Sequence, residues 1–148
     1  MIRVQQQPFD VGAELAALTA GHTDVGALAS FVGLVRAHGS EPITAMTLEH
    51  YPGMTEKKLA EIEAEAHARW ALQASLIVHR YGRMLPGEPI VLVATAAAHR
   101  APALEACAFL IDWLKTKAPF WKLEETAGAS RWVEARADDD AAAARWQG

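Results

Sequence analysis

The sequence LKTKAPFWKLE, residues 114–124, joins a predicted helix to a predicted strand. Pro119 cannot continue a helix and disfavours a helical conformation at Ala118, so the chain must change direction there. The apolar spacing before the proline is helical, whereas residues 120–124 are typical of a strand. Lys115 is therefore predicted on the last helical turn and Lys122 on the neighbouring extended segment. Two ammonium groups placed in this way suit an anionic substrate, or a lysine that loses its proton readily.

Length and composition limit the class of protein. The chain has 148 residues, of which 51% are hydrophobic and 22% charged, and this predicts one folded domain over residues 1–148. A net charge of −4 argues against a nucleic-acid partner, which would favour a basic excess. The N-terminus lacks the apolar core of a signal peptide, and no apolar run is long enough to span a bilayer. We therefore expect a cytoplasmic protein without a membrane partner.

The predicted elements alternate irregularly between strands and helices. Strands are predicted at residues 2–9, 25–36, 43–51, 75–81, 89–97, 120–125 and 131–135, and helices at 11–19, from 55 to 70, from 102 to the proline break, and at 138–146. Strict strand–helix–strand alternation is missing, so the order predicts an α+β fold rather than a doubly wound sheet.

Several local patterns give sharper expectations. Residues 25–36 are apolar with small residues throughout, which suits a strand buried on both faces, with its glycines at close backbone approaches. Thr55 is a plausible N-cap, and Pro102 suits the first position of its helix. One face of that helix is predicted to carry Leu104, Cys107, Ala108, Ile111 and Leu114.

Two arginines occupy positions that suit anion binding. His99 and Arg100 lie between an apolar strand and a helix, where free backbone N–H groups and the helix dipole attract anions. A polar cap with an exposed arginine explains the same pair equally simply. Arg36 ends the most apolar strand, where it either binds an anion or marks the point at which the chain meets water.

The strand after Pro119 separates its side chains by face. Phe120, Lys122 and Glu124 share one face of an extended segment, and Trp121, Leu123 and Glu125 share the other. Lys122 and Glu124 are thus predicted to line one pocket. Lys115 and Lys117 also have a simple explanation, because positive charge is favoured at any helix C-terminus.

A metal site and a catalytic thiol are not predicted. The histidines fall on separate elements without the spacing of a ligand pair, and no cysteine cluster supports them. Cys107 is the single cysteine, so no intramolecular disulfide forms, and its place on an apolar helix face predicts an inert core thiol.

Together these segments resemble one known family, the catalytic (large) subunits of molybdopterin synthase. The matching segments are residues 31–36, 48–57, 79–82, 86–88, 98–100, 114–124 and 131–135, in the same order over nearly the whole chain. The resemblance implies an α/β-hammerhead-like single domain of the α+β class, with a mixed, largely antiparallel sheet.

The resemblance also implies a reaction and partners. Such subunits are sulfurtransferases that convert cyclic pyranopterin monophosphate to molybdopterin, in molybdenum cofactor biosynthesis. The sulfur comes from the C-terminal thiocarboxylate of a small ubiquitin-like subunit. Two large subunits form a central dimer with one small subunit at each end, a heterotetramer, and no cofactor is implied.

Carried over position by position, the resemblance implies roles for individual residues. Lys115 and Lys122 match the catalytic lysines. The implied substrate-binding residues are Leu34, Val35, Arg36, His99, Arg100, Leu123 and Glu124, with Arg136 a weaker candidate, and some of these act across the dimer interface in the family. Leu34 stands where a lysine can occur and Lys117 where an arginine can occur, so the rim of the pocket differs in detail.

Two other functions compete with this interpretation. The main alternative is a non-catalytic module that binds a ubiquitin-like tail, with the lysines as docking charges. A phosphate-ester enzyme of another kind is disfavoured, because the sequence has no metal-ligand set or nucleophile–base pair.

Overall fold

The computed structural model describes residues 1–133 and 137–147. The strands are β1 (Ile2–Gln5), β2 (Ala27–Leu34), β3 (Ala45–His50), β4 (Leu72–Arg80), β5 (Gly82–Met84), β6 (Pro89–Ala97), β7 (Phe120–Glu125) and β8 (Ser130–Val133). The helices are α1 (Val11–Thr19), α2 (Met54–Arg69), α3 (Arg100–Lys117) and α4 (Ala137–Ala144).

The strands form two four-stranded sheets. The first has the order β1-β4-β6-β2, and the second has the order β5-β3-β7-β8. Among these neighbours β1 and β4 run parallel, and all the other pairs are antiparallel. The predicted α+β class with mixed, largely antiparallel pairing is confirmed, and the pairing is divided between two sheets.

Helices cover both faces of the first sheet. Leu59 and Ile62 of α2 and Leu110 of α3 pack with Ile77 and Val93 in the main core. On the opposite face, side chains of α1 pack against a cluster that includes Leu76 and Leu92. Each fully buried aliphatic side chain contributes about 1.5–3 kcal/mol, so these two layers provide most of the apolar stabilisation.

A smaller core lies under the second sheet. Val35, Ile43, Met46, Leu48 and Met84 are buried there, with Phe120 packed against them. This cluster fixes the inner face of the second sheet against the end of β2, which is where the candidate site lies.

The prediction that β2 is buried on both faces is wrong. Among the residues that the structure describes, strand β2 pairs only with β6 and forms an edge of the first sheet. Leu28 is 40% exposed, Phe31 37% and Leu34 54%. The close approaches of its glycines are confirmed: a Cβ on Gly26 would lie 2.1 Å from the Ala98 carbonyl oxygen, and one on Gly33 would lie 2.8 Å from Val91 Cγ1.

Two predicted helix starts are displaced by local chemistry. Gly53, with a φ of 83°, is the N-cap of α2, and its N–H donates to Glu56 Oε2 at 2.9 Å. Thr55 is instead a fully buried residue of the first turn. His99 caps α3, so Pro102 is its third residue, where a missing N–H still breaks no helical bond.

The predicted face of α3 is confirmed in part. Cys107 and Leu114 are buried as predicted, and Ala108 and Ile111 are partly buried. Leu104 is instead 60% exposed and its neighbour Ala103 is buried, because successive helical residues point about 100° apart. The predicted C-terminal helix is confirmed as α4, and β5 was not predicted. Glu134 and Ala135, in the predicted last strand, lie outside the described residues.

No helix in residues 1–133 or 137–147 is long and apolar enough to cross a membrane.

Candidate active site

A cavity of about 370 Å³ opens between the inner face of the second sheet, the end of β2 and the end of α3. Its polar and charged lining consists of Arg36, His38, His79, Lys115, Lys122, Glu124, Arg131 and Asp139. Its walls are otherwise apolar, with Ile43, Met46, Leu48, Ile90 and Phe120 among them. A few converging polar groups on an apolar wall are typical of a small-molecule site.

Strand β7 supplies the floor of this cavity. Phe120, Lys122 and Glu124 all line it, as their period-two spacing predicted. In the register of the sheet Lys122 lies opposite Leu48 on one side and Val133 on the other. The Lys122 side chain therefore rises from the sheet between two apolar neighbours.

The proline break brings Lys115 to the same cavity. Helix α3 ends at Lys117 and β7 begins at Phe120, with the Ala118 N–H donating back to the Leu114 carbonyl. The Pro119 carbonyl accepts a hydrogen bond from Thr55 Oγ1 at 3.4 Å, and the same hydroxyl accepts one from the Tyr51 N–H at 3.0 Å. The buried Thr55 of α2 is thus hydrogen-bonded to the proline at which the chain changes direction, between Lys115 and Lys122.

The end of β2 forms another wall. The Val35 N–H donates to the Glu88 carbonyl at 2.9 Å, and the Gly87 N–H donates to the Val35 carbonyl at 2.7 Å. These two bonds hold Leu34, Val35 and Arg36 at the cavity.

The charge around the cavity is mainly positive. Arg36, Lys115, Lys122 and Arg131 line it together with two carboxylates, those of Glu124 and Asp139. Glu124 is 14% exposed and faces Arg131 across a 3.9 Å ion pair. Arg36, Lys115 and Lys122 add further positive charge, and a cavity lined mainly by one sign of charge attracts ions of the other sign, here anions.

Three predicted site residues lie elsewhere in the chain. His99 and Arg100 are exposed at the start of α3, and Arg100 and Lys115 are fifteen positions apart along the helix, or about 22 Å. Leu123 does not line the cavity, because it belongs to the opposite face of β7 together with Trp121. Arg136 lies outside the described residues.

His79 was not predicted as a site residue, although residues 79–82 are one of the segments on which the family resemblance rests. It lies in the middle of the first sheet, is 5% exposed and lines the cavity. Burial lowers its pKa from 6.5 to about 3; the Arg80 carbonyl opposes this, and the charges of Lys115, Lys122 and His50 add to it. The ring is therefore neutral near pH 7.

Cys107 has no part in the cavity lining. Its thiol lies in the main core, 3.9 Å from the Val93 carbonyl oxygen, and burial raises its pKa to about 11. A thiol with so high a pKa is a poor nucleophile near neutral pH. Among the residues that the structure describes, no group of three or more histidines, cysteines or carboxylates is arranged to hold a metal ion.

Comparison with known proteins identifies similar chains. A family model described as "MoaE protein" matches residues 4–117. A molybdopterin synthase catalytic subunit from Pseudomonas aeruginosa is 56% identical over 147 residues, 99% of this chain and 98% of the relative. The solved structure of a molybdopterin biosynthesis MoaE protein from Burkholderia ambifaria is 55% identical and superposes with a TM-score of 0.85, covering 99% of this chain and 97% of that chain.

A more distant structure shares the fold. It comes from Helicobacter pylori and is described as a complex of subunits 1 and 2 of molybdopterin-converting factor. Its identity is 23% and its TM-score 0.77, with 91% of each chain covered.

Proposed function

The chain belongs to the MoaE protein family, that of molybdopterin synthase catalytic subunits, and we propose that its cavity is where sulfur passes from a protein thiocarboxylate to cyclic pyranopterin monophosphate. The donor is the C-terminal tail of a small ubiquitin-like subunit. The product is the dithiolene of molybdopterin, and the chain acts as a sulfurtransferase.

The convergence of Lys115 and Lys122 on one cavity is the observation that carries this proposal. The substrate phosphate and the thiocarboxylate are both anions. Two like charges 4 Å apart near a protein surface repel by about 4 kcal/mol, so a site that joins these reactants needs cations between them. Lys115, Lys122 and Arg36 supply that charge from α3, β7 and the end of β2.

The position of Cys107 supports an external source of sulfur. The only thiol of the chain is in the main core, where burial raises its pKa to about 11. A thiocarboxylate tail that enters the cavity removes the need for a reactive cysteine.

In the transfer step, the lysines are assigned the role of stabilising negative charge on the acyl group. The thiocarboxylate sulfur displaces an oxygen substituent from a carbon of the pterin substrate, so that the new C–S bond forms as a C–O bond breaks and the oxygen leaves on the phosphate or, once protonated, as water. Water then adds to the acyl carbon, the acyl C–S bond breaks, the sulfur stays on the substrate and the tail leaves as a carboxylate. The tetrahedral adduct carries an oxyanion, and an ammonium group aimed at it lowers the barrier. Two tails used in succession provide the two sulfurs of the dithiolene.

A dimer of this chain is part of the proposal. No strand of residues 1–133 or 137–147 pairs with the outer edge of β2, which carries the exposed Leu28 and Phe31, and such edges favour pairing with another chain. His99 and Arg100 follow β6, the strand next to that edge, and about 22 Å of helix separates Arg100 from Lys115 of its own chain. We therefore assign these two residues to the cavity of the second copy, where they bind the substrate phosphate.

Reconstitution tests the proposal. The purified chain is mixed with a thiocarboxylated small subunit and cyclic pyranopterin monophosphate, and the dithiolene product is measured. A small subunit that ends in an ordinary carboxylate is the matched control, because it docks without carrying sulfur. We expect product only with the thiocarboxylate. Capture of the small subunit without any turnover would instead identify a non-catalytic module that binds a ubiquitin-like tail.

A further inference from the structure

His79 is a buried polar residue of the cavity to which the proposed sulfur transfer gives no role. It lies on β4, an inner strand of the first sheet, between Val4 of β1 and Val91 of β6. Its neighbours along β4, the apolar Val78 and the charged Arg80, are also buried. A histidine at such a position costs stability unless its ring makes specific polar contacts.

One ring nitrogen has a fixed partner. His79 Nδ1 lies 2.9 Å from the Arg80 carbonyl oxygen. A carbonyl oxygen only accepts, so Nδ1 carries the proton, and Nε2 of the neutral ring is an acceptor. The ring also stacks on Phe120, with centroids 3.8 Å apart and planes inclined by 17°. The carbonyl and the stack together fix both the tautomer and the ring plane.

The surroundings of this ring are positively charged. Lys115 of α3, Lys122 of β7 and His50 of β3 are the titratable groups whose charges act on it. Phe120, on which the ring stacks, lies two residues before Lys122 on the same face of β7. The fixed acceptor therefore lies in the same cavity as the two ammonium groups.

We propose that His79 is a positioning residue for the lysine pair, its Nε2 accepting a hydrogen bond from the ammonium group of Lys115 or Lys122. This inference rests on the proposed sulfur transfer. A carboxylate at this place would hold a lysine equally well, but its negative charge would repel the phosphate and the thiocarboxylate. A neutral imidazole orients the ammonium group and leaves its charge for the reactants.

Two amide substitutions separate the functions of the two ring nitrogens. His79→Asn retains a donor near Nδ1 for the Arg80 carbonyl and has no acceptor at the Nε2 position, whereas His79→Gln places an amide oxygen near Nε2. We expect His79→Asn to lower kcat about 10- to 100-fold, as small misplacements of reacting groups do, with KM for the small subunit little changed. His79→Gln is expected to recover much of that loss. His22→Asn, the same change in an exposed turn, serves as the control and is expected to leave kcat unchanged.

The outcomes distinguish this inference from the proposed function. Wild-type protein without product would refute the sulfur transfer itself. Active wild-type protein with full activity in His79→Asn, or with equal losses in both variants, would overturn the positioning role.

A spectroscopic measurement is independent of turnover and needs no substitution at His79. In ¹⁵N spectra of the wild-type chain at neutral pH, the His79 ring is expected as the neutral tautomer with a proton on Nδ1. Its Nε2 resonance is expected to shift in Lys115→Ala or in Lys122→Ala, and the variant that produces the shift identifies the bonded lysine. An Nε2 resonance unchanged in both variants would also overturn the proposal.

Discussion

Lys115 and Lys122 reach the same cavity from different surroundings. Lys115 is exposed on the last turn of α3, where the helix dipole favours a positive charge, and Lys122 is half-buried on β7 between Leu48 and Val133. The exposed lysine is well placed to meet an incoming tail. The half-buried one is better shielded from water, where an ammonium group stabilises an oxyanion more strongly.

Substitution of Lys115 tests the part of the site that is least buried. We expect Lys115→Ala to lower the rate of dithiolene formation by at least about 100-fold, the usual effect of removing one group that stabilises an oxyanion. The thermal midpoint is expected to stay near wild type, because Lys115 is exposed.

Lys58→Ala is the matched control for that substitution. Lys58 is an exposed lysine of α2 whose ion pair with Glu61 is worth only about 0.3–0.5 kcal/mol. Activity near wild type in Lys115→Ala, measured in the same assay, would remove Lys115 from the reaction.

Local sequence patterns predicted a site residue only where its position is set by a single strand, helix or turn. The alternation of side chains along β7 and the change of direction at Pro119 are both local features. They were enough to predict that Lys122 and Glu124 face one pocket and that Lys115 lies on the last helical turn near it. His79 and Met46 come to the cavity through the packing of one sheet on the other, which no local pattern records. Leu123 is an example: the alternation of side chains along the strand correctly predicted that it faces away from Lys122, whereas the family resemblance implied that it binds substrate.

At the scale of elements, Thr55 links the start of α2 to the end of α3. Its hydroxyl joins the Tyr51 N–H to the Pro119 carbonyl and is fully buried. Sequence favoured an N-cap because threonine commonly takes that position. Gly53 is the N-cap residue instead. The backbone at that position has a φ of 83°, which glycine adopts readily and other residues do not.

Thr55→Val tests this link. Valine has nearly the same shape but leaves the Tyr51 N–H and the Pro119 carbonyl without this partner, so we expect a loss of about 1–3 kcal/mol in the free energy of unfolding. The rate of sulfur transfer is also expected to fall, because the break between Lys115 and Lys122 loses its anchor. Urea unfolding and the reconstituted assay measure the two effects.

The control for this substitution is Thr23→Val, at an exposed position in the turn before β2. It is expected to change the unfolding free energy by less than about 0.5 kcal/mol, as surface substitutions do. An equally small change in Thr55→Val would show that the buried hydroxyl does not hold the break.

Edge and inner strands could not be distinguished from their composition. The small apolar residues of β2 resemble those of a buried parallel strand, and its glycines do make the expected close approaches. Whether a strand has one neighbour or two depends on the topology of the sheet. In this chain β6 takes the inner position and leaves β2 at the edge.

For the molecule as a whole, the neutral buried His79 makes stability depend on pH. Its pKa is about 3 in the folded state against an ordinary 6.5, so below pH 6.5 the unfolded chain binds a proton that the folded chain does not. The stability that this group contributes is present above pH 6.5 and is lost as the pH falls toward 3. The slope is at most about 1.4 kcal/mol per pH unit for one proton.

Glutamine does not titrate, so His79→Gln abolishes the difference in proton binding between the folded and unfolded chain at this position. We expect the unfolding free energy of the wild type to fall more steeply between pH 6 and pH 4 than that of the variant, by up to about 1.4 kcal/mol per pH unit. Urea unfolding at a series of pH values measures both slopes, and the other titrating groups affect the two proteins equally. Parallel curves would show that His79 titrates alike in both states.

In the proposed dimer, the exposed edge of the first sheet forms the interface that brings the second copy's residues to the site. Leu28 lies on β2, is 40% exposed and does not line the cavity, so a charge there disturbs an interface without entering the site. If the proposed dimer forms through this edge, Leu28→Lys is expected to convert dimers to monomers in analytical ultracentrifugation. It is also expected to reduce sulfur transfer, because the proposal assigns the second copy's His99 and Arg100 to the cavity. Leu85→Lys places the same charge at a leucine 49% exposed in the turn between β5 and β6, and is expected to leave both properties unchanged. A Leu28→Lys variant that is monomeric and fully active would show that one copy provides all the groups that the reaction needs.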